Sequence, residues 1–526
     1  MTAQTAPADV RLDLLARQEI ALIDLREEDP YAKDHPLFAA NLPLSRLELE
    51  VLDRIPRKDT PVVLYDAGEG LVEPAIRRLT ALGYTQVSAL ADGLLGWRLA
   101  GYELFQDVNS ASKAFGELVE ARRHTPSVPA PEAKALIEAE PNLVVLDARR
   151  FEEYHTMSIP RGVSVPGAEL VLRARALAPD PSTTIIVNCA GRTRSIIGAQ
   201  SLINAGVPNK VMALRNGTIG WTLAGQSLEH GQTERYADVL PEREAEARAA
   251  AREVSYRAGV RHIDRRGLDR LAQDADRTLY RFDVRTPEEY AAGHIKGFRS
   301  APGGQLVQET DVFAPVRGAR TVLADDRGAR ADMSASWLAQ MGWEVYVLDG
   351  GFDGPLDLGP WKPTLPPAPD AASISAAELA ERRPQGGLVV IDLAPSPAHR
   401  KGHIPGAWFA VRSRLAEALA AIRPQPTETI VLTSPDGVLA RFAAGEAEAA
   451  LDRPPLVLDG GTTAWIAAGQ PVEAGLTRQA SQPDDVYRRP YEGTDNAASA
   501  MQAYLDWEFG LVEQLRRDGT HGFFVI

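Results

Sequence analysis

The sequence contains very little cysteine, since Cys189 is the single cysteine among 526 residues. A single thiol excludes an intrachain disulfide, and it excludes structural zinc sites that are built on two or more thiolates. We therefore expect a reducing compartment, most simply the cytoplasm.

Long apolar segments are also missing. No run of about 18 apolar residues occurs, so we expect no membrane-spanning helix. The first residues, MTAQTAPADVRLDLLARQ, lack a positively charged start followed by an apolar stretch, so we expect no signal peptide.

The chain has no excess of positive charge, because its formal net charge is −14. An acidic surface disfavours nucleic acids and anionic membranes as main partners, whereas a small anionic substrate responds mostly to the local field. Hydrophobic residues make up 44% of the chain and charged residues 24%, which is typical of a globular protein. A chain of this length is too long for one core, so several domains are expected.

What the sequence does contain is a fourfold repeat. An apolar strand that ends in Asp occurs as ALIDLR, VVLDAR, YRFDVR and VVIDLA, with the residues Asp24, Asp147, Asp283 and Asp392. A second apolar strand ends 42 residues after each of them, in Asp66, Cys189, Asp325 and Ser434. One offset found four times indicates four copies of one unit.

Each copy continues with a helix-period segment, a third strand and a Gly-rich turn, which contains Trp in three copies. Short apolar strands that alternate with helices predict βα units and parallel sheets. We therefore predict an α/β fold of four tandem domains, each a small doubly wound, mainly parallel sheet with helices on both faces. The predicted domains span residues 8–106, 128–228, 262–362 and 372–474.

The remaining segment, residues 475–526, does not repeat the pattern. We predict a loop, then an amphipathic helix near ASAMQAYLDWEFGLVEQLRRD, and then the apolar end FFVI. The apolar side chains of this C-terminal extension predict that it docks onto the four domains.

The loop after Cys189 is the first candidate site. It is followed by the helical stretch SIIGAQSL, and its residues are Ala190, Gly191, Arg192, Thr193, Arg194 and Ser195. Ligands of open α/β sheets bind at the carboxyl ends of strands, where a tight loop can turn several backbone N–H groups inward. Such an array favours an anion, and two arginines add positive charge. We therefore expect a lowered pKa of Cys189 and a nucleophilic thiolate.

The neighbouring residues restrict the chemistry of this thiolate. A Cys–His–Asn hydrolase needs a base, and none is indicated near Cys189; disulfide exchange within the chain needs a second cysteine. Two reactions stay open from the residues alone: cleavage of a phosphate ester, and transfer of a sulfane sulfur through a cysteine persulfide. The second needs neither a metal nor an organic cofactor.

The ordered motifs resemble those of rhodanese domains. They are D-x-R at the first strand, E-x-x-x-GHI-x-G after it, the Cys loop and a closing GG-x-x-x-W-x-x-x-G, with DVRTPEEYAAGHIKG in the third repeat and GHIPGA in the fourth. The resemblance covers about four-fifths of the chain. It implies a multidomain rhodanese-type sulfurtransferase.

Cdc25-type phosphatases are similar to rhodanese domains, but the sequence of their cysteine loop is HC-x5-R. Here the loop CAGRTR is shorter, Ser195 stands where the phosphatase arginine would lie, and Asn188 replaces the histidine. A smaller loop suits one sulfur atom on Cys189, which favours sulfur transfer over a phosphatase or an arsenate reductase.

The resemblance implies a mechanism in which Cys189 attacks the outer sulfur of thiosulfate or a similar donor, such as mercaptopyruvate or glutathione persulfide. Backbone N–H groups of residues 190–195 would hold the persulfide, and Arg192 would steer the anionic donor. Cyanide, a thiol or a protein cysteine would then accept the sulfur. A scaffold or persulfide carrier with little small-molecule turnover stays as the alternative.

The other three repeats lack the thiol and are predicted to be inactive. Asp66, Asp325 and Ser434 occupy the position of Cys189, and we expect a carboxylate to be disfavoured inside an anion-binding loop. The repeats are similar to two-domain rhodaneses, in which an inactive domain packs on an active one. This implies that repeat one pairs with repeat two, and repeat three with repeat four.

Three further residues of the second repeat are candidates for supporting roles. Asp147 is expected to bond the backbone or the loop. Arg149 either pairs with Glu153 or faces the cleft, and both alternatives stay open. Trp221 lies in the closing turn, where packing is expected rather than substrate contact.

Overall fold

Four parallel sheets follow one another along the chain in this computed structural model, which describes residues 3–526. With the strands of each repeat counted from one to five, every sheet has the order 1-5-4-2-3. Helices cover both faces, so the predicted fold of four tandem α/β domains is confirmed. The fourth strand, which leads into the Cys189 position, lies in the middle of its sheet and is therefore buried on both faces.

The first repeat contains strands β1 (Gln4–Thr5), β2 (Ala21–Asp24), β3 (Ala40–Asn41), β4 (Val62–Tyr65) and β5 (Val87–Leu90). Its helices are α1 (Pro7–Leu15), α2 (Glu28–Lys33), α3 (Leu47–Arg54), α4 (Val72–Ala81) and α5 (Gly93–Leu99). A long helix, α6 (Ser110–Arg123), then leads to the second repeat.

The second repeat contains strands β6 (Ser127–Val128), β7 (Leu143–Asp147), β8 (Gly162–Ser164), β9 (Thr184–Asn188) and β10 (Val211–Leu214). Its helices are α7 (Ala130–Ala139), α8 (Phe151–Thr156), α9 (Leu170–Leu177), α10 (Thr193–Asn204) and α11 (Gly217–Leu223). The connector α12 (Pro241–Arg257) precedes repeat three.

The third repeat contains strands β11 (Arg261–Ile263), β12 (Leu279–Asp283), β13 (Arg299–Ser300), β14 (Arg320–Ala324) and β15 (Glu344–Leu348). Its helices are α13 (Arg265–Gln273), α14 (Pro287–Ala292), α15 (Gly303–Gln308), α16 (Thr310–Phe313) and α17 (Ala329–Gln340). The Gly-rich stretch after β15 carries no Trp and forms a loop instead of the helix found in the other copies.

The fourth repeat contains strands β16 (Ser373–Ile374), β17 (Leu388–Asp392), β18 (Trp408–Phe409), β19 (Thr429–Thr433) and β20 (Leu456–Leu458). Its helices are α18 (Ala376–Arg382), α19 (Ser396–Lys401), α20 (Leu415–Ile422), α21 (Val438–Leu451) and α22 (Gly461–Ala467). The C-terminal extension forms α23 (Ala498–Phe509) and α24 (Leu511–Asp518). Short 3-10 turns occupy Leu44–Arg46, Gly167–Glu169, Arg383–Gln385 and Arg412–Arg414.

Repeat three packs against both repeat one and repeat two, which differs from the predicted pairing. Every residue of α17 is buried, and this helix lies against α9 and α12. The apolar core of repeat one continues into repeat three. Repeat four meets repeat one through Arg412, whose guanidinium binds both carboxylate oxygens of Glu48 at 2.9 Å. The Ala and Ser side chains of α17 allow neighbouring helices to approach closely. The resemblance to two-domain rhodaneses does not predict these contacts.

The C-terminal extension returns to the first two repeats, as its apolar side chains predict. Helix α23 contacts α6 and α11, and α24 packs along α6. Near the end of the chain, the ring of Phe523 meets Phe115 edge-on, with ring centroids 5.4 Å apart. Within residues 3–526, no helix combines the length and the apolar composition that crossing a membrane requires.

Candidate functional site

Cys189 lies at the carboxyl end of the central strand of the second sheet. Strand β9, TIIVN, is buried along its whole length, and α10 begins at Thr193 after a short loop. This is the edge of a parallel sheet at which ligands bind. The structure therefore places Cys189 and residues 190–192 in a loop at this edge, whereas residues 193–195 of the predicted loop form the first turn of α10.

The closing turn of the repeat fixes the backbone of this loop. The carbonyl of Cys189 accepts the N–H of Thr218 at 2.9 Å, and the carbonyl of Ala190 accepts the N–H of Ile219 at 3.0 Å. Gly217 makes this approach possible: it has φ +53°, and a Cβ there would lie 2.3 Å from the Cys189 carbonyl oxygen. Only glycine fits such a contact without moving the backbone.

The thiol of Cys189 is enclosed, with 1% of the residue exposed. Burial raises the pKa of Cys189, while the charge of Arg194 and the backbone and hydroxyl of Ser195, both within hydrogen-bonding reach, act to lower it. Burial has the larger effect, so the expectation of a lowered pKa is wrong for this closed arrangement. The charged thiolate must be stabilised by the loop against desolvation.

Arg192 points away from the sulfur and toward helix α6. Its Nε donates to Glu117 Oε1 at 2.7 Å, its Nη2 donates to Glu117 Oε2 at 2.8 Å, and it also binds Glu120. Its Nη1 donates to Asn216 Oδ1 at 3.1 Å. Two carboxylates neutralise this guanidinium, so the geometry gives no support to donor steering by Arg192.

Arg194 is the loop cation that acts on the sulfur. Its guanidinium binds Glu153 in a bidentate pair at 2.7 and 2.9 Å, and the pair holds the pKa of Glu153 at about 2, although desolvation acts to raise it. The charge of Arg194 also lowers the pKa of Cys189. Glu153 therefore fixes the direction of the guanidinium.

The uncharged loop residues shape the walls of the site. Ala190 packs into an apolar cluster with the C-terminal extension, and the hydroxyl of Ser195 donates to the Arg192 carbonyl at 2.8 Å. Thr193 packs against Gly116 of α6, where a Cβ would lie 2.8 Å from its methyl group. The loop is thus held between its own sheet, α6 and the extension.

Asp147 and Arg149 form a buried pair below the loop. Asp147 accepts from Arg149 Nε at 2.9 Å and Nη2 at 2.7 Å, and from Asn188 Nδ2 at 2.8 Å. Arg149 also donates to the Met157 carbonyl. Arg149 neither pairs with Glu153 nor faces the cleft, which were the two predicted alternatives. It pairs with Asp147, and Glu153 is bound by Arg194. The geometry supports structural roles for Asp147 and Arg149.

The tryptophan of the closing turn is a packing residue in each copy that has it. Trp221 is buried, and its Nε1 donates to the Ser227 carbonyl at 2.9 Å. Trp97 and Trp465 make the same bond to Glu103 and Pro471, at 3.0 and 2.8 Å. A contact shared with copies that lack the thiol supports a role in folding.

The C-terminal extension supplies site residues that sequence reasoning missed. A Cβ at Gly191 would lie 3.1 Å from the Tyr504 ring and 3.3 Å from Glu508 Oε2, so α23 covers the loop directly. Tyr491 belongs to the same apolar cluster. The amphipathic pattern of the extension indicated that it docks, but no signal in it indicated the place.

Glu508 is the most unusual of these residues. It is fully buried; Tyr504 donates to its Oε1 at 2.8 Å, whereas its Oε2 has no hydrogen-bond partner among residues 3–526. Burial raises the pKa of Glu508 to about 8, aided by the negative charge of Glu117 and opposed by Lys113. A neutral carboxyl group therefore lies over the loop at neutral pH, and its ionisation would raise the pKa of Cys189 further.

In the repeats with Asp in place of Cys189, the loop binds a carboxylate of the chain. In repeat one, Asp66 accepts the N–H groups of Gly68 at 3.0 Å and Leu71 at 2.6 Å, two and five residues further along the chain. The expectation that a carboxylate is disfavoured there is wrong, because the loop N–H groups bind that residue's own carboxylate. The corresponding N–H groups in repeat two belong to Gly191 and Arg194.

Repeat three repeats this arrangement, and repeat four retains part of it. Asp325 accepts the N–H groups of Arg327 at 3.1 Å and Arg330 at 2.9 Å. Ser434 Oγ accepts the N–H of Ala440 at 3.3 Å. In the second repeat the corresponding position holds the thiol of Cys189, which lies within hydrogen-bonding reach of the Ser195 N–H and brings no charge while it is protonated.

Comparison with known proteins gives one family for all four repeats. The family model described as "Rhodanese-like domain" matches residues 8–100, 129–224, 268–355 and 375–468. The crystal structure of a thiosulfate sulfurtransferase from Pseudomonas aeruginosa is 60% identical, and the alignment covers 100% of both chains with a TM-score of 0.98.

Shorter proteins match one repeat. An uncharacterised protein of Escherichia coli strain K12, YibN, is 33% identical over 86 residues, which are 16% of this chain and 59% of that protein. The thiosulfate sulfurtransferase GlpE of Ectopseudomonas mendocina is 33% identical over 88 residues, which are 16% of this chain and 71% of that protein. The chain thus spans less than two-thirds of the length of YibN.

Proposed function

The chain belongs to the rhodanese-like family, and from this premise we propose that it is a sulfurtransferase that carries a sulfane sulfur as a persulfide on Cys189. The donor is thiosulfate or a similar small anion, and the acceptor is a thiophilic group such as cyanide, a thiol or a protein cysteine. Because the lone thiol must stay reduced, the proposed location is the cytoplasm.

The observation that carries this proposal is the cradle seen with its anion in repeats one and three. Asp66 and Asp325 place carboxylate oxygens on the loop N–H groups, at the position where the second repeat has sulfur. Oxygen anions stand there for the terminal sulfur of a persulfide. The second repeat alone among the four combines this cradle with a nucleophile that can form the S–S bond.

The proposed step is a displacement at the outer sulfur of thiosulfate. The Cys189 thiolate forms a new S–S bond to that sulfur, the old S–S bond breaks, and its electron pair leaves with sulfite. The proton of the resting thiol goes to solvent before attack. The persulfide inherits the negative charge, which the N–H groups of Gly191 and Arg194 and the guanidinium of Arg194 would stabilise.

The test is the intact mass of the full-length protein after incubation with thiosulfate, beside the variant Cys189→Ser. We expect a gain of one sulfur atom in the native chain and none in the variant, followed by loss of that atom when cyanide is added. Absence of the gain with thiosulfate, mercaptopyruvate and glutathione persulfide would contradict the proposal. Hydrolysis of an aryl phosphate without sulfur uptake would favour a phosphatase instead.

A further inference from the structure

We propose that the third repeat contains a second, non-catalytic site that binds the oxyanion group of a small ligand through Arg281 and Arg299. The site is a cavity of about 800 Å³ between strands β12 and β13, helix α3 of repeat one and the segment 357–364. This inference concerns a part of the molecule away from Cys189 and does not depend on the sulfurtransferase proposal.

Arg281 replaces a core residue. It lies two residues before the Asp that ends the first long strand of its repeat, and it pairs in register with Val322. The residues in the same register of the other repeats are buried and aliphatic, namely Leu22, Val145 and Val390. A guanidinium at a position that folds with an aliphatic side chain in three copies needs a reason other than folding.

The side chain of Arg281 has no counter-ion. It makes no hydrogen bond and no ion pair within residues 3–526. Burial lowers the pKa of Arg281. Gly297, with φ +80°, leaves room for the guanidinium: a Cβ there would lie 3.1 to 3.2 Å from its atoms. The charge is thus partly removed from water without compensation.

Arg299 is the second unpaired cation on the cavity wall. In its register the other repeats carry Ala40, Val163 and Trp408. Its guanidinium carbon lies 4.6 Å from the ring centroid of Trp361, yet its Nε and Nη1 are buried and lack hydrogen-bond partners in the described part of the chain. Stacking holds the plane of the group, and its Nη2, which also has no hydrogen-bond partner among the described residues, is not enclosed and can donate to a ligand.

The remaining charges leave the site cationic. Lys362 is exposed at the cavity wall and has no ion pair within the described range. Of the two acids, Asp53 accepts the N–H of Thr364 at 2.8 Å, and Asp357 pairs through its backbone with His294. Neither carboxylate forms an ion pair with the two arginines.

Unpaired guanidinium groups with free in-plane donors fit the planar pairs of acceptor oxygens in phosphate and sulfur oxyanions. The cavity is larger than such a group, so it has room for an organic body against Trp361. The oxyanion can belong to a phosphate compound or to a sulfur compound, and the two sources are distinguished by the probes used below.

The test is isothermal titration of the full-length chain at low ionic strength with inorganic phosphate and, separately, with thiosulfate. All proteins carry Cys189→Asp, so thiosulfate cannot react and the loop N–H groups of repeat two are occupied by a carboxylate of the chain, as in repeats one and three. We expect one-to-one binding of at least one anion, weakened at least roughly tenfold by Arg281→Leu, since a charged hydrogen bond contributes about that factor. Tighter phosphate binding would indicate a phosphate compound, and tighter thiosulfate binding a sulfur compound.

The choice of variants separates an effect on binding from an effect on folding. Arg281→Leu restores the side chain of repeat one and is expected to fold; Arg299→Val, which restores that of repeat two, gives the same test a second time. Arg266→Leu removes an exposed cation of the same repeat and should leave the affinity unchanged. The proposal is overturned if neither anion binds, or if both cavity variants bind as tightly as the parent.

The outcome is independent of catalysis. With Cys189 present, Arg281→Leu should gain one sulfur atom from thiosulfate as the native chain does. Anion binding without any sulfur uptake would contradict the proposed function but not the second site. Sulfur uptake without anion binding would contradict the second site but not the proposed function.

Discussion

Arg194 and Arg330 occupy the same place in repeats two and three, five residues after Cys189 and Asp325. Each reaches the glutamate of the helix that follows the first long strand, at 2.7 Å for Glu153 and 2.6 Å for Glu289. The difference is that Arg330 Nε also donates to Asp325 at 3.0 Å. In repeat three the anion that the loop binds is the side-chain carboxylate of Asp325.

The loop of repeat three binds a carboxylate and carries no thiol. Arg330 further binds Glu169 of repeat two at 2.8 Å, so its guanidinium joins two repeats. In repeat three the loop is part of a buried ionic contact between domains. In repeat two the loop holds a thiol, and under the proposed function Arg194 would stabilise the negative charge of the thiolate and of the persulfide.

The largest effect is expected when the second repeat is made like the third. Cys189→Asp should abolish sulfur uptake completely and retain the fold, because the loop N–H groups already bind this carboxylate in two other repeats. The measurement is intact mass after thiosulfate, with circular dichroism as the control. Misfolding of this variant would contradict the equivalence of the loops.

Removal of the loop cation should have the next largest effect. Arg194→Leu is expected to slow sulfur uptake on the order of a hundredfold, as for loss of one group that stabilises developing charge. The matched variant Arg192→Leu should slow it less and mainly lower the melting temperature, because Glu117 and Glu120 lose their partner. Equal kinetic effects of the two variants would contradict the separate roles.

The reverse exchange places the thiol in repeat three. In the Cys189→Asp background, Asp325→Cys together with Asp326→Ala should take up sulfur at a small but measurable rate. The rate should stay far below the native one because Arg330 remains bound to Glu169 and Glu289. Asp325→Cys alone should be slower still, since the Asp326 carboxylate opposes a thiolate; a faster rate would contradict that reasoning.

Glu508 makes the covered loop sensitive to pH. Its pKa of about 8 lies above the ordinary value of 4.5, so the folded state holds a proton that the unfolded state has lost between these values. Stability therefore falls as pH rises from 4.5 toward 8, by about 1.4 kcal/mol per pH unit at most. Glu508→Gln should raise the melting temperature above pH 8 and change it little below pH 4.5.

The smallest effect is expected at the closing turn. Trp221→Phe removes the hydrogen bond to the Ser227 carbonyl and should lower the free energy of unfolding by about 1 kcal/mol. The rate of sulfur uptake should stay unchanged. Trp465→Phe in repeat four gives the matched measurement, and a selective loss of uptake in the Trp221 variant would indicate a role in the site.

Much of the architecture could be predicted because it depends on local pattern. The equal spacing between the Asp-ended strands and the strands before Asp66, Cys189, Asp325 and Ser434 predicted four similar sheets, and apolar strands between helices predicted parallel pairing. The loop, its cysteine and the copies without a thiol follow from the same repeat pattern. None of these depends on which repeat lies beside which.

The pairings of the charged side chains could not be predicted. Arg192 and Arg194 are two residues apart, yet one is neutralised by helix α6 and the other acts on the sulfur. The residues that decide this, Glu117 and Glu153, are distant in sequence and lie on different elements. The sequence of a cationic loop therefore indicates that positive charge is present, but not which groups each guanidinium contacts.

Periodicity and residue type define the fold of each repeat, the place of the one thiol and the lack of thiols in the other copies. Contacts between distant segments define the rest: repeat three packs between one and two, the carboxylates of Asp66 and Asp325 are bound by their own loops, and Glu508 covers the loop of Cys189. These contacts also desolvate the thiol. Burial under a distant segment reverses the expected pKa shift of Cys189, and no local pattern contains that burial.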